Sequence, residues 1–229
     1  MAETGFKVTV LGAINEARLK SKIPAAATID ADSDSIIKLH YLNDVISELS
    51  DYANWQEQYR EAIVSCATSV RDYAVSGATV VQSIHEVAYS EKQSSLRRVD
   101  LEDIRSLQRA NNTGTPNSWC VKGVTSEGNP IITIDRWPTT NETGYFNIGY
   151  YAKPVVYTTA DASATVPFPG RLVVQGLLTK TILDESDGDP GQRYQANMAL
   201  YETMKAETYN RFNGDTGGTT YFQPGKRTR

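Results

Sequence analysis

Ile131-Ile-Thr-Ile-Asp-Arg-Trp137, then Phe146-Asn-Ile-Gly-Tyr-Tyr151, then Pro154, then Val166-Pro-Phe168: these segments decide how the 229-residue chain is read. The first two are rich in β-branched and aromatic residues and read as short strands. From Phe168 onward the apolar period changes to that of a helix. Residues 168–183 enter through Pro167 and Pro169, with Leu172, Val173, Leu177 and Leu178 on the apolar side. Residues 184–191 stop that helix with Asp, Ser, Gly and Pro. A second helix, 192–212, carries Tyr194, Met198, Tyr201 and Met204 at helical spacing, a stripe read as packing rather than as a ligand pocket. The short connection predicts an antiparallel pair.

Residues 214–229 cannot make a core. They contain Gly and Pro breaks, the pair Tyr221-Phe222, and a basic end with Lys226, Arg227 and Arg229. Such a tail either frays or orders on a partner, with the two aromatics as anchors and the basic end seeking carboxylates or phosphates.

On the N-terminal side, residues 9–18 read as a short helix with Val10, Leu11 and Ile14 inward, and 25–34 as a loop. Asp32, Ser33, Asp34 and Ser35 offer caps for a stronger helix, in which Leu39, Leu42, Ile46 and Leu49 share one face. It ends near 52–55. Between the helical parts lie Ile63-Val64, then Val70, Tyr73 and Val75, then 80–87 and 96–99, separated by Ser, Gly and Thr as in a small sheet. Residues 100–109 predict a brief helix capped by Asp100, with Leu101, Ile104 and Leu107 buried. Residues 119–124 and 131–134 bracket Glu127-Gly-Asn-Pro130, a hairpin loop containing Gly.

Composition excludes several functions. A hydrophobic share of 40% and a charged share of 22% are those of an ordinary globular protein, able to bury a core at this length. The net charge of −4 speaks against a dedicated duplex-DNA binder. No window approaches the roughly 20 apolar residues of a membrane span, and Met1-Ala-Glu-Thr-Gly5 lacks the features of a secretory signal. Folding in a cytoplasm is therefore expected.

No catalytic constellation, metal ligand set or cofactor motif stands out. Cys66 and Cys120 have no Cys or His at zinc spacing, and His40 and His85 are the two histidines. Both cysteines read as buried thiols, and His85 as a satisfied sheet residue. Asp30, Asp32 and Asp34 alternate as in a calcium loop, but Ser35 and Tyr41 stand where that loop needs Gly and Glu. Asp184, Glu185, Asp187 and Asp189 read as a solvated turn, with a weak divalent site or a partner contact as the other readings. Gly12, Gly77 and Gly123 are isolated, so no phosphate loop is present. An enzyme is not expected.

The order of these parts resembles the head-to-tail adaptors of short-tailed bacteriophages, the gatekeeper, connector-ring or tail tubular protein A type. The resemblance rests on a helix and loop leading to a long second helix, on Asn54-Trp-Gln-Glu57, and on Arg71-Asp-Tyr-Ala-Val75. It continues through Pro116-x-x-Trp119, Tyr150-Tyr-x-x-Pro154, Val166-Pro-Phe168 and a last helix with Tyr201, Met204 and Tyr209. It covers about residues 8–212. Asp72-Tyr73 lacks the family's Leu-Pro continuation, and 25–34 is longer and more polar than its counterpart.

The resemblance implies an α+β fold. A helical bundle would be formed by 1–54 and 166–213, a small antiparallel sheet domain would be inserted at 55–165, and 214–229 would be an extended arm. It implies a structural virion protein of the neck, assembled in the host cytoplasm as a ring, a dodecamer in the family, beneath the portal protein. Tyr221, Phe222, Lys226, Arg227 and Arg229 would dock the arm on the portal. The sheet would meet the tail nozzle or tube protein, and DNA would pass through without specific binding, eased by like charge. Two alternatives are another neck position, such as a stopper, and a carbohydrate-binding sheet that uses Trp119, Trp137, Tyr150 and Tyr151.

Overall fold

The computed structural model describes residues 7–76, 80–92, 95–139, 144–186 and 191–213. Among these, five α-helices and seven strands form an α+β fold, as expected. The chain divides into two compact units, one from Met1–Ala53 with Val156–Arg229 and the other from Asn54–Val155. Residues 156–165, grouped with the sheet in the sequence reading, fall with the helices. Their backbone explains why: Val10 N–H donates to Ala164, Leu11 N–H to Ala162, and Val166 N–H to Val8.

The helical unit begins with α1 (Val10–Lys20), whose cap is Thr9; its hydroxyl accepts from Gly12 N–H at 3.0 Å. Val10, Ala13, Ile14 and Ala17 are fully buried, while Leu11 is only half-buried. The expected loop after it contains a single 3-10 turn, Ile29–Ala31, pinned by Ile29 in the core. Among the offered caps, Asp32 is the one used. Its carboxylate accepts from Ser35 N–H at 2.8 Å and starts α2 (Ser33–Tyr52). Leu39, Leu42, Ile46 and Leu49 share the buried face as the spacing required, and Val45 joins them.

Two helices complete the unit, α4 (Gly170–Glu185) and α5 (Gln192–Asn213). They are antiparallel: Gln175 meets Asn197, and Glu185 meets Arg193. α4 packs against α1, α2 and α5, so it is buried almost all round rather than along one stripe. Even Thr179 and Thr181 are inside, each returning its hydroxyl to the carbonyl four residues earlier. Gly176 allows the closest approach. A Cβ there would lie 2.8 Å from both Tyr201 and Val45, two buried side chains.

The other unit holds two sheets where one was expected. The first has the order β1 (Tyr59–Ser65), β7 (Tyr145–Ala152), β3 (Val81–Tyr89). The second runs β2 (Asp72–Ala74), β6 (Pro130–Ile134), β5 (Ser118–Val124), β4 (Arg97–Arg98). Every pair is antiparallel except β4–β5, which is parallel. That parallel pair arises because the chain from β4 to β5 passes through the helix α3 (Leu101–Arg109), a crossover rather than a hairpin. The β5–β6 hairpin is as read: Gly128 takes φ +83 and its N–H closes the turn onto the Thr125 carbonyl.

Both sheets share one core containing Tyr73, Val87, Tyr89, Trp119, Ile132, Ile134, Phe146 and Ile148. The Phe146 ring stands 5.0 Å from Tyr73 and 5.4 Å from Tyr89. α3 departs from its expectation. Ile104 alone is fully buried, Leu107 is exposed, and the Asp100 side chain makes no cap bond. The helix lies along β5 and its Gln108 reaches Thr133 and the Ile134 carbonyl, so a single apolar line suffices to seat it.

Candidate interaction surfaces

Where the sequence suggests no reacting groups, the candidate sites are surfaces and the devices that hold them. The expected docking residues, Tyr221, Phe222, Lys226, Arg227 and Arg229, lie outside the described residues. What is described ends with α5. α5 carries Lys205, buried, with its ammonium 2.8 Å from Glu202 and 3.2 Å from Glu48 of α2. The same ammonium sits over the rings of Tyr52 and Tyr201 at 4.8 and 5.0 Å. Burial opposes the charge, but the two glutamates outweigh it and raise the Lys205 pKa. Tyr52 also meets Tyr209 edge-on at 6.0 Å. The C-terminal part of α5 is thus clamped to α2.

A second polar device fixes the start of α2. The buried guanidinium of Arg18 donates to Asp32, Asp34 and Ser35 at 2.7, 2.9 and 2.6 Å, and its Nε donates to the Pro24 carbonyl at 2.8 Å. The bond to Arg18, followed by that from Ser35 N–H, holds the Asp32 carboxyl well below the usual carboxylate range. Asn15 completes the loop's anchorage by bonding both the N–H and the carbonyl of Ala26. Asp30, Asp32 and Asp34 therefore serve no calcium loop; Asp32 and Asp34 are claimed by Arg18.

The sheet unit shows which aromatics are available. Trp119 and Tyr150 belong to the core and Trp119 donates to the Leu96 carbonyl, so the four-residue sugar platform does not form. Trp137 is stacked under Arg71, whose guanidinium lies 4.1 Å from the ring centroid. His85, read as a satisfied sheet residue, is instead exposed on β3, in edge contact with Tyr59 and Tyr151. Burial and the neighbouring Glu86 push the Tyr59 phenol up to about 12. Cys120 is buried, which raises its thiol pKa. Cys66 is half-buried, 3.8 Å from the Tyr73 hydroxyl, and both are free.

Asp187 and Asp189 lie outside the described residues, so the acidic turn is represented by Asp184 and Glu185. Among the described residues no group of three or more His, Cys, Asp or Glu is placed to hold a metal ion. No helix among them is long and apolar enough to cross a membrane. Exposed apolar side chains are instead spread over both units, with Leu19, Ile37 and Leu200 in the helical one and Ile63 and Val124 in the other.

Arg18, Lys205 and Gly176 were not legible as key residues in sequence. Each acts through partners elsewhere in the chain, and none sits in a motif.

Comparison with known proteins assigns the chain to the bacteriophage adaptors, structural proteins of the virion neck. The family is that of the SU10 adaptor protein, whose sequence profile matches residues 9–225, and this chain belongs to it. The match runs beyond α5 to include Tyr221 and Phe222, while Lys226, Arg227 and Arg229 lie past its end. No curated protein matches the chain.

Proposed function

We propose that this protein forms a ring, a dodecamer as in the adaptors it resembles, beneath the portal of the filled capsid. The ring extends the DNA channel and provides the platform on which the tail is built. The helical bundle packs between neighbouring copies, the arm with Tyr221, Phe222, Lys226, Arg227 and Arg229 docks on the portal protein, and the sheet unit meets the tail nozzle or tube protein. DNA slides past without specific binding. The observation that carries this reading is the family match over nearly the whole chain.

The architecture suits the task. A ring needs heterologous contacts that close by rotation, and separate helical, sheet and arm surfaces on one chain can supply them. An arm whose ordering cost is met only on the portal makes assembly sequential. Assembly takes place in the host cytoplasm.

Native mass spectrometry of the chain, alone and mixed with the portal protein of its own virus, tests the reading. A stoichiometric ring on the portal is expected. Deleting residues 221–229 should leave a folded protein that no longer joins it. Ring formation by the truncated chain would refute the docking role of the arm, and indifference of the full chain to the portal would refute the adaptor position.

A further inference from the structure

We infer that the free edge of β1 is a strand-addition site, taken by an extended segment of the tail-side partner that bears an apolar residue opposite Ile63 and a Lys or Arg opposite Glu61. This rests on the proposal that the sheet unit meets the tail component.

The argument begins with hydrogen-bond parity. Cys66 N–H donates to Gly144, and the β1–β7 register pairs Val64 with Phe146 and Ala62 with Ile148. In an antiparallel ladder such residues alternate, so the N–H and C=O groups of Glu61, Ile63 and Ser65 point away from β7. β1 is the outer strand of its sheet, and no backbone bond from those three residues goes elsewhere among the described residues. The open stretch is closed at both ends. Arg60 donates to the Tyr59 carbonyl, and Ala67 N–H is taken by the Tyr73 hydroxyl. What remains is a slot of three donors and three acceptors, which only an extended backbone can fill.

The other edge of the same sheet is treated differently. β3 carries two irregularities in register, and Ser95 and Leu96 lie across its end, with Leu96 N–H bonded to the Val87 carbonyl. Bulges and covering segments are the ordinary guards of an exposed edge. Among the described residues β1 has neither, and its register is continuous.

Side chains specify the occupant. Ile63 is 70% exposed at the centre of the slot, a β-branched side chain with no packing of its own to justify it. Glu61 is exposed and makes no ion pair among the described residues. Its chain neighbour Arg60 is turned back onto the carbonyls of Glu57 and Tyr59. The slot therefore presents an apolar side chain at its centre and the carboxylate of Glu61 two residues before it, on the same face, and it selects a strand with a complementary pair.

The test is binding of the purified full-length chain to the purified tail nozzle protein of the same virus. It compares wild type with Ile63→Lys, Ile63→Pro and, as a control, Val124→Lys on β5. Pro at 63 removes an N–H that points outward, so the ladder to β7 survives, and Lys guards the edge without touching the backbone. Both Ile63 variants should lose affinity by tenfold or more while Val124→Lys keeps it. Amide exchange of residues 59–65 should slow on binding. If Ile63→Pro proves unfolded by tryptophan fluorescence, Ile63→Lys carries the test. Tail protein that binds wild type and both variants equally, or leaves exchange in β1 unchanged, overturns the strand-addition site while the adaptor reading stands. A nozzle protein that never binds overturns both. A dimer of the chain alone that Ile63→Lys dissolves gives the edge to a second copy, and overturns the tail segment as occupant.

Discussion

Replacing Gly176 by Ala isolates what the closest approach within the helical unit contributes. In an open helix the change would help, by about 0.5–1 kcal/mol, because glycine has more backbone freedom to lose on folding. Here the added methyl meets Tyr201 and Val45 at 2.8 Å, and both are buried, Tyr201 at 2% exposure and Val45 at none. Neither is the free end of a flexible side chain. Overpacking of this kind costs about 1–3 kcal/mol, so the net effect is a loss on the order of 1–2 kcal/mol. At about 2–4 °C per kcal/mol for a chain of this size, the melting temperature should fall by several degrees.

Circular dichroism at 222 nm follows mainly the helices. Tryptophan fluorescence follows the other unit, since Trp55, Trp119 and Trp137 all lie within Asn54–Val155. Gly123→Ala on β5, where a Cβ would meet nothing within 4 Å, is the matched control and should leave the helical signal unchanged. A Gly176→Ala protein as stable as wild type in the helical signal, or more stable, would refute the claim that α4, α2 and α5 meet at this point without slack.

Other outcomes follow from the same unit. Leu42→Ala and Ile46→Ala remove side chains with at most 1% exposure and should each cost roughly 2–5 kcal/mol in urea unfolding. A change near zero would mean that face of α2 does not support the core. Arg18→Gln should destabilise in a pH-dependent way. Asp32 has its pKa depressed in the folded protein, so its contribution is present above the unfolded carboxylate pKa of about 4 and fades as pH falls below that. The stability gap between Arg18→Gln and wild type should be full by about pH 5 and narrow on acidification below about 4; a gap independent of pH would place the role of Arg18 in packing alone.

The fold was largely legible because its strongest signals are local. An aspartate cap followed by Leu39, Leu42, Ile46 and Leu49 specifies a helix within twenty residues, and Gly128 in a short loop specifies a hairpin. Residues 96–99 were legible as a strand and contain β4, but its parallel pairing with β5 was not, since that depends on where α3 returns the chain. Leu107 was misplaced because amphipathic spacing identifies a face but not how wide a surface that face will cover. The polar anchors were hidden for a different reason. Arg18 finds Asp32 across fourteen residues and Lys205 finds Glu48 across 157, separations at which sequence gives no pairing rule. Ile63 was legible as a strand residue, yet nothing in its neighbours tells an edge from a centre.

The near-complete burial of α4 also has a temporal side. Its wrapping requires α1 and α2, which are synthesised first, and α5, which is synthesised last, with the whole Asn54–Val155 unit emerging in between. At ~5–20 residues per second, the apolar face of α2 waits on the order of ten seconds before α4 leaves the ribosome. The sheet unit, contiguous in sequence, can finish folding during that interval. The helices written first are thus among the last to be covered, and nascent-chain handling of residues 33–52 becomes a determinant of yield.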